Sequence, residues 1–389
     1  MPDSAMPKSS TPPLMDPRFE LIGRTTLGAG AFTAWPGVID IPTEGTRGVV
    51  RGLLAAAGGD SAVLLRDPAA EPPAEAGPGS IWLQTSGTTG TPKWSGYALS
   101  DLKAKIKPGK GERARWLLTF HPAAFAGVQV ILSAMMGGHA LVAARPEATI
   151  ADMARIAVTN EVTHVSGTPT FWRAFLMALG DAALDLRGVT LGGEAADQGL
   201  LDALKARFPK AALRHIYATT EAGTVFSVAD GRAGFPRNWL YEPLNGLKLT
   251  LSEHDTLRVE NPRASRQAKG GIWDTGDVVE LVGDRVLFRG RTDSMVNVGG
   301  VKVFPETVEA HILASPWVQD TRVSAKANPI TGAILVADIV LKPVTDEDAI
   351  KAQAEIRAHV AQLPRAQRPA SLRYVAAIET GATGKKVRT

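Results

Sequence analysis

The run Thr85-Ser86-Gly87-Thr88-Thr89-Gly90-Thr91-Pro92-Lys93, entered from the strand-like Ile81-Trp82-Leu83-Gln84, constrains this chain more than any other stretch. Small hydroxyl side chains and two glycines leave backbone N–H groups open, let a ligand approach closely and supply O–H donors, while Lys93 adds a positive charge. Such a surface suits a polyphosphate. A Walker A loop is excluded, because only Thr88 and Thr89 separate Gly87 from Gly90 where that motif needs four residues and then Gly-Lys-Ser/Thr. Taken alone, the run reads equally as a polar connection between a strand and a helix, so its meaning rests on the residues downstream.

Five further motifs stand downstream in a fixed order. Tyr217-Ala218-Thr219-Thr220-Glu221, Trp273-Asp274-Thr275-Gly276-Asp277, Gly290-Arg291-Thr292-Asp293, Val298-Gly299-Gly300-Val301-Lys302-Val303-Phe304-Pro305-Glu306 and Thr383-Gly384-Lys385-Lys386-Val387-Arg388 appear one after another. With the first run they resemble the signatures of the adenylate-forming superfamily, which includes acyl-CoA synthetases, nonribosomal-peptide adenylation domains and luciferases. Ala218 stands where that family's Tyr-Gly-x-Thr-Glu segment has glycine. The resemblance covers residues 85–388 and is of the AMP-dependent acyl-CoA ligase type.

The resemblance implies an ATP-dependent, AMP-forming acid–thiol ligase that makes an acyl-adenylate and passes the acyl group to CoA. Delivery to the phosphopantetheine of a carrier protein, or a catalytically silent nucleotide-binding paralogue, are the alternatives. Thr85, Ser86, Gly87, Thr88, Thr89, Gly90 and Lys93 would cradle the β- and γ-phosphates. Thr220 would donate to the α-phosphate, and Glu221 would hold Mg²⁺, which takes one or two protein carboxylates plus phosphate oxygens. Tyr217 would lie along the adenine, and Gly193 and Glu194 would border the nucleotide and acyl pocket. Asp277 suits the ribose hydroxyls, since a carboxylate accepts two O–H donors, with Arg291 beside it. Lys385 would bridge the acyl carboxylate and the α-phosphate. Asp293 would be the hinge about which a small domain turns, bringing Gly299, Gly300 and Lys302 to the thiol step. Outside this motif context Tyr217 reads as a core aromatic, Asp277 as a turn residue and Arg291 as a surface charge.

For the acyl group, the stretch Phe120-His121-Pro122-Ala123-Ala124-Phe125 has no carboxylate to pair a substrate ammonium, so a free α-amino acid is disfavoured and an uncharged chain favoured. His121 resembles the acyl-channel histidine of CoA ligases and Phe125 would line the pocket; a satisfied half-buried histidine is the alternative. Phe171 and Trp172 border the same pocket or belong to the core.

A length of 389 residues allows two or three domains at ~150 residues each. Basic and acidic residues, 43 against 39, leave a formal charge of +4 with no basic block, a mixed solvated surface that argues against nucleic acid. With no cysteine, disulfides, thiolate metal sites and a cysteine nucleophile are excluded. The longest apolar stretch, Val128 to Ala144, carries Gln129, Ser133, Gly137, Gly138 and His139 and falls short of the ~20 apolar residues of a spanning helix. The expectation is a cytoplasmic enzyme with no membrane span. Only 84 residues precede the phosphate run, fewer than in typical relatives, so a minimal N-terminal subdomain, covered by homodimerisation, is expected.

Periodicity predicts an α/β fold. Strands are expected at Leu117–Phe120, Ala140–Ala143, Val162–Ser166, Val189–Leu191 and Arg214–Tyr217, alternating with helices Ile150–Val158, Thr170–Leu179 and Gln198–Phe208. Beyond Phe235, short strands (Leu247–Leu251, Thr256–Glu260, Asp277–Val282 and Arg285–Arg289) read as a β-rich subdomain. The large domain is expected to span 1–292. A small, mobile α+β domain of 293–389 completes the chain, with helices Pro305–Leu313 and Asp346–Leu363 and strands near Thr321–Ala325, Ala333–Leu341 and Ser371–Ile378.

Overall fold

Three glycines shape the first layer. Helix Ile41–Ala57 lies between the parallel strands Gly37–Asp40 and Ala62–Leu65, and a Cβ on Gly52 would sit 2.9 Å from Ile39 and 3.0 Å from Ala62. At Gly48 it would meet Ile39 at 2.8 Å. Only bare backbone lets this helix approach the sheet so closely, although glycine in a helix interior costs about 1 kcal/mol relative to alanine. Gly45, at φ +55, kinks the first turn.

The computed structural model describes residues 14–67, 70–74, 76–85, 93–104, 106, 112–219, 223–244, 246–260, 271–379 and 386. The chain divides into two compact units, one of residues 1–147 and 159–164, the other of 148–158 and 165–389.

In the first unit a four-stranded sheet runs Gly37–Asp40, Ala62–Leu65, Ser80–Thr85, Lys93–Ala98, the last strand antiparallel to the third. Its register pairs Thr85 with Lys93 and Ser80 with Ala98. The phosphate run therefore joins two antiparallel strands rather than a strand and a helix. The backbone after Lys93 continues as ladder partner of the strand before it. A second group of strands contains Arg115–Leu118, Ala140–Ala143 and Glu20–Ile22 in parallel, with Thr26–Gly28 antiparallel at the edge. Helix Phe125–Gly137 makes the crossover between the first two, and Val128, Ile131, Leu132, Ala134 and Met135 on it are fully buried. These layers share one core with Phe19, Ile39, Leu53, Leu64, Ile81 and Leu83.

In the second unit Gly188–Gly192 and Ala212–Thr219 are parallel, and Gly223–Val228 turns back antiparallel. Helix Pro169–Leu179 starts where Thr168 accepts a hydrogen bond from the N–H of Phe171, with proline at the first turn, both strong start signals. A five-stranded antiparallel sheet comes next in the order Phe235–Pro236, Arg285–Arg291, Ile272–Val282, Thr256–Glu260, Lys248–Leu251, over a core of Val225, Phe226, Phe235, Leu249, Leu257 and Val286. The final segment carries its own core, Val308, Ile312, Val323, Leu335, Ala337, Ile339 and Ile356, between helices Pro305–Leu313 and Asp346–Val360 and the strands Val318–Asn328, Gly332–Leu341 and Ser371–Tyr374. Among the described residues no helix is long and apolar enough to cross a membrane.

Candidate active site

Antiparallel register brings three of the sequence-expected residues together. Strands Ile272–Val282 and Arg285–Arg291 set Asp277 opposite Arg291. Arg291 Nη1 donates to Asp277 Oδ1 at 3.1 Å and to the Thr275 carbonyl at 3.2 Å. The Tyr217 hydroxyl donates to the other carboxylate oxygen of Asp277. Between Thr275 and Asp277, Gly276 holds φ +72, where a Cβ would crowd Thr292 Oγ1 at 3.2 Å; glycine there lets the strand turn the carboxylate toward Tyr217. A carboxylate oxygen offers about two acceptor sites. With one donor on each, Asp277 keeps acceptor capacity for the two O–H groups of a vicinal diol.

Tyr217 is held from both ends. Its ring stacks on Phe226 and Phe288, with centroids 5.1 and 5.0 Å away. Burial, then the charge and hydrogen bond of Asp277, push its phenol well above the usual range, so it stays a donor throughout the physiological range. A β-bulge between Tyr217 and Ala218 shifts the pairing with Gly223–Val228 just before Thr220 and Glu221.

Arg291 also donates to Asp293 at 3.0 Å, and Ser294 Oγ contacts Glu306 at 3.1 Å, so the expected hinge residue sits in a hydrogen-bonded turn leading into Val296–Val298. Gly299 and Gly300, at φ +59 and +87, form the two-residue turn between that strand and Val301–Val303. Lys302 is exposed on it.

Glu194 is engaged by the protein itself. One carboxylate oxygen accepts from the N–H and hydroxyl of Thr170 at 3.0 and 2.8 Å, and the other accepts from the backbone N–H of Lys386 at 3.3 Å. Gly193 precedes it at φ +84. Trp172 is wholly buried and Phe171 nearly so; both belong to the core.

The adjoining lysine carries a role that local sequence does not reveal. Lys386 Nζ lies 2.8 Å from Asp320 and 3.8 Å from Glu309, donates to the Thr321 carbonyl, and is 6% exposed. A tail lysine in a Lys-Lys pair reads as solvent-exposed, and its partners lie more than sixty residues upstream.

In the first unit His121 Nδ1 accepts from the N–H of Ala123 at 3.2 Å, and Phe125 opens helix Phe125–Gly137 with its ring 5.4 Å from Tyr97. Burial, followed by the charge of Arg66, lowers the His121 pKa to about 4, so the imidazole is neutral near pH 7. Ser86, Gly87, Thr88, Thr89, Gly90, Thr220, Glu221 and Lys385 lie outside the described residues, as do the side chains of Thr85 and Lys93.

A family model described as AMP-binding enzyme matches residues 44–273, more than half of the chain. The chain belongs to the AMP-binding enzyme family. Among curated relatives, a 2-succinylbenzoate–CoA ligase of Bacillus velezensis is 25% identical over 315 residues, covering 73% of this chain and 63% of that protein. Among solved structures, an anthranilate CoA ligase in complex with anthranoyl-AMP superposes with a TM-score of 0.64 at 23% identity, covering 79% of this chain and 65% of that one. The o-succinylbenzoate CoA synthetase of Bacillus subtilis, in complex with its acyl-adenylate intermediate, superposes at 0.55 with 21% identity, covering 79% and 68%. At these identities the structures show a shared fold. The chain thus spans somewhat under two thirds of the length of the first of these relatives, and of the first structure.

Proposed function

We propose that this chain is an ATP-dependent, AMP-forming acid–thiol ligase. The observation that carries the reading is the Tyr217–Asp277–Arg291 constellation inside a chain of the AMP-binding family. An aromatic ring, a carboxylate with free acceptor capacity and a guanidinium that fixes it match adenine, ribose hydroxyls and a negative nucleotide. In the first half-reaction a carboxylate oxygen of the acid attacks the α-phosphorus of ATP and pyrophosphate leaves. In the second a thiol attacks the acyl carbon and AMP leaves. Both first-step reactants are negative, so charge neutralisation and positioning dominate the barrier.

Lys385 is assigned to bridge the carboxylate and α-phosphate, and Thr220 to donate to that phosphate. Magnesium, which favours one or two carboxylates plus phosphate oxygens, would be held by Glu221 and the nucleotide and would neutralise phosphate charge. Among the described residues no group of three or more His, Asp or Glu gathers, so no all-protein cage competes with that arrangement there. Turning of a small domain from about residue 293 would withdraw Lys385 and present Gly299, Gly300 and Lys302 for the thiol step. CoA is the proposed thiol and a carrier-protein phosphopantetheine the alternative.

Acid-dependent exchange of labelled pyrophosphate into ATP across a panel of carboxylic acids tests the reading, followed by thiol capture with CoA and with a holo carrier protein. Exchange with at least one acid and thioester formation with CoA is expected. ATP binding without exchange for any acid would point instead to a silent nucleotide-binding protein.

A further inference from the structure

A buried donor without an acceptor lies beside the end of strand Ala62–Leu65. Gln84 is 4% exposed, and its Oε1 accepts from the N–H groups of Arg66 at 2.7 Å and Asp67 at 2.9 Å, which fixes the orientation of the amide. Its Nε2, equally buried, has no hydrogen-bond partner. An unpaired buried amide donor is costly, so it marks a place where an acceptor is missing. Beside it, half-buried Arg66 spends one N–H on the Gln84 carbonyl at 3.3 Å and has no carboxylate partner among the described residues. His121 lies within reach of the Arg66 charge, and its Nδ1 is already an acceptor, so the neutral ring carries its proton on Nε2.

We propose that Arg66, Gln84 and His121 form an oxyanion-binding pocket that takes a carboxylate of the acid substrate. One fixed positive charge and three donor groups recognise an acceptor-only ligand, and the guanidinium fork matches a carboxylate in bidentate fashion. Phe120, next to His121 in the chain, and Phe125, against Tyr97, are half-buried aromatics that suit an organic acid better than a polyphosphate. The expectation of an uncharged acyl group is thereby narrowed: the pocket prefers an acid that brings a negative oxygen to Arg66, either its reacting carboxylate or a second one.

That the ligand is a substrate rests on the acid–thiol ligase reading, so the test needs no turnover. Benzoate, isophthalate, the neutral benzamide and inorganic pyrophosphate are titrated into the full chain by calorimetry, alongside Arg66→Met and Gln84→Glu. The second variant keeps the Oε1 acceptor and replaces the buried donor with a negative oxygen. Benzoate or isophthalate should bind, benzamide should not, and each variant should weaken carboxylate binding about tenfold or more, as expected for losing a charged hydrogen bond. Tighter isophthalate than benzoate identifies a second carboxylate as the ligand, and equal affinity identifies the reacting one. Carboxylate binding unchanged in both folded variants, no carboxylate binding at all, or Arg66-dependent binding of pyrophosphate alone would overturn the assignment. Failure of pyrophosphate exchange alongside successful titrations counts against the ligase reading only.

Discussion

Lys385→Ala is expected to lower acid-dependent pyrophosphate exchange by about 10²–10³, the loss typical of removing one donor to charge developing in a transition state. Transfer of the acyl group from a supplied acyl-adenylate to thiol should remain within a few-fold of wild type. The neighbouring Lys386 cannot do the same work, because its ammonium is buried between Asp320, Glu309 and the Thr321 carbonyl. Of the two adjacent lysines, only Lys385 is then left for substrate. Measuring both half-reactions on the same preparation checks this; equal damage to both would contradict an assignment in which Lys385 acts only during adenylation.

Lys386→Met should destabilise the C-terminal segment by about 3–5 kcal/mol, since removing one partner of a buried ion pair leaves uncompensated charge. Two carboxylates share this cation, Glu309, as buried as the lysine, and Asp320, nearly so. Equilibrium urea unfolding checks the size of the effect. A second substitution gives the cause: Asp320→Asn in the Lys386→Met background should recover part of the loss, because an amide can still accept from the Thr321 N–H at 2.9 Å without its charge. A loss below about 1 kcal/mol, or no recovery, would mean that the triad is solvated and contributes as little as a surface pair.

Where periodicity was amphipathic, the sequence was informative. Helices Pro169–Leu179 and Pro305–Leu313 and strands Ala140–Ala143 and Thr256–Glu260 stand within a residue of their expected bounds, because cap or turn residues mark the ends and each buries apolar side chains. Strand Arg115–Leu118 lies two residues earlier than expected, its apolar run continuing past the ladder into Thr119 and Phe120. Two long helices left no such signal. Phe125–Gly137 is buried on nearly every side, so it shows no stripe, and Ile41–Ala57 carries glycines that argue against a helix yet are what its packing on Ile39 and Ala62 requires.

At the site the division is similar. Tyr217, Asp277 and Arg291 were legible because each stands in a short motif, although the hydrogen bonds joining them span 60 and 14 residues. Arg66, Gln84 and Lys386 were not, since nothing near them in the chain distinguishes a buried donor from a solvated one. Only the pairing of Ala62–Leu65 with Ser80–Thr85, and the burial of Lys386 against Val318–Asn328, gives them their surroundings.

Activation of the acid as an acyl-adenylate leaves its most direct trace in the fate of the carboxylate oxygen. An accepted acid labelled with ¹⁸O in both carboxylate positions is turned over with ATP and CoA, and the products are weighed by mass spectrometry. Attack on the α-phosphorus followed by thiol displacement of AMP predicts one ¹⁸O in AMP, one retained in the thioester and none in pyrophosphate. Label in inorganic phosphate with ADP as the nucleotide product, or unlabelled AMP alongside thioester, would contradict an acyl-adenylate intermediate.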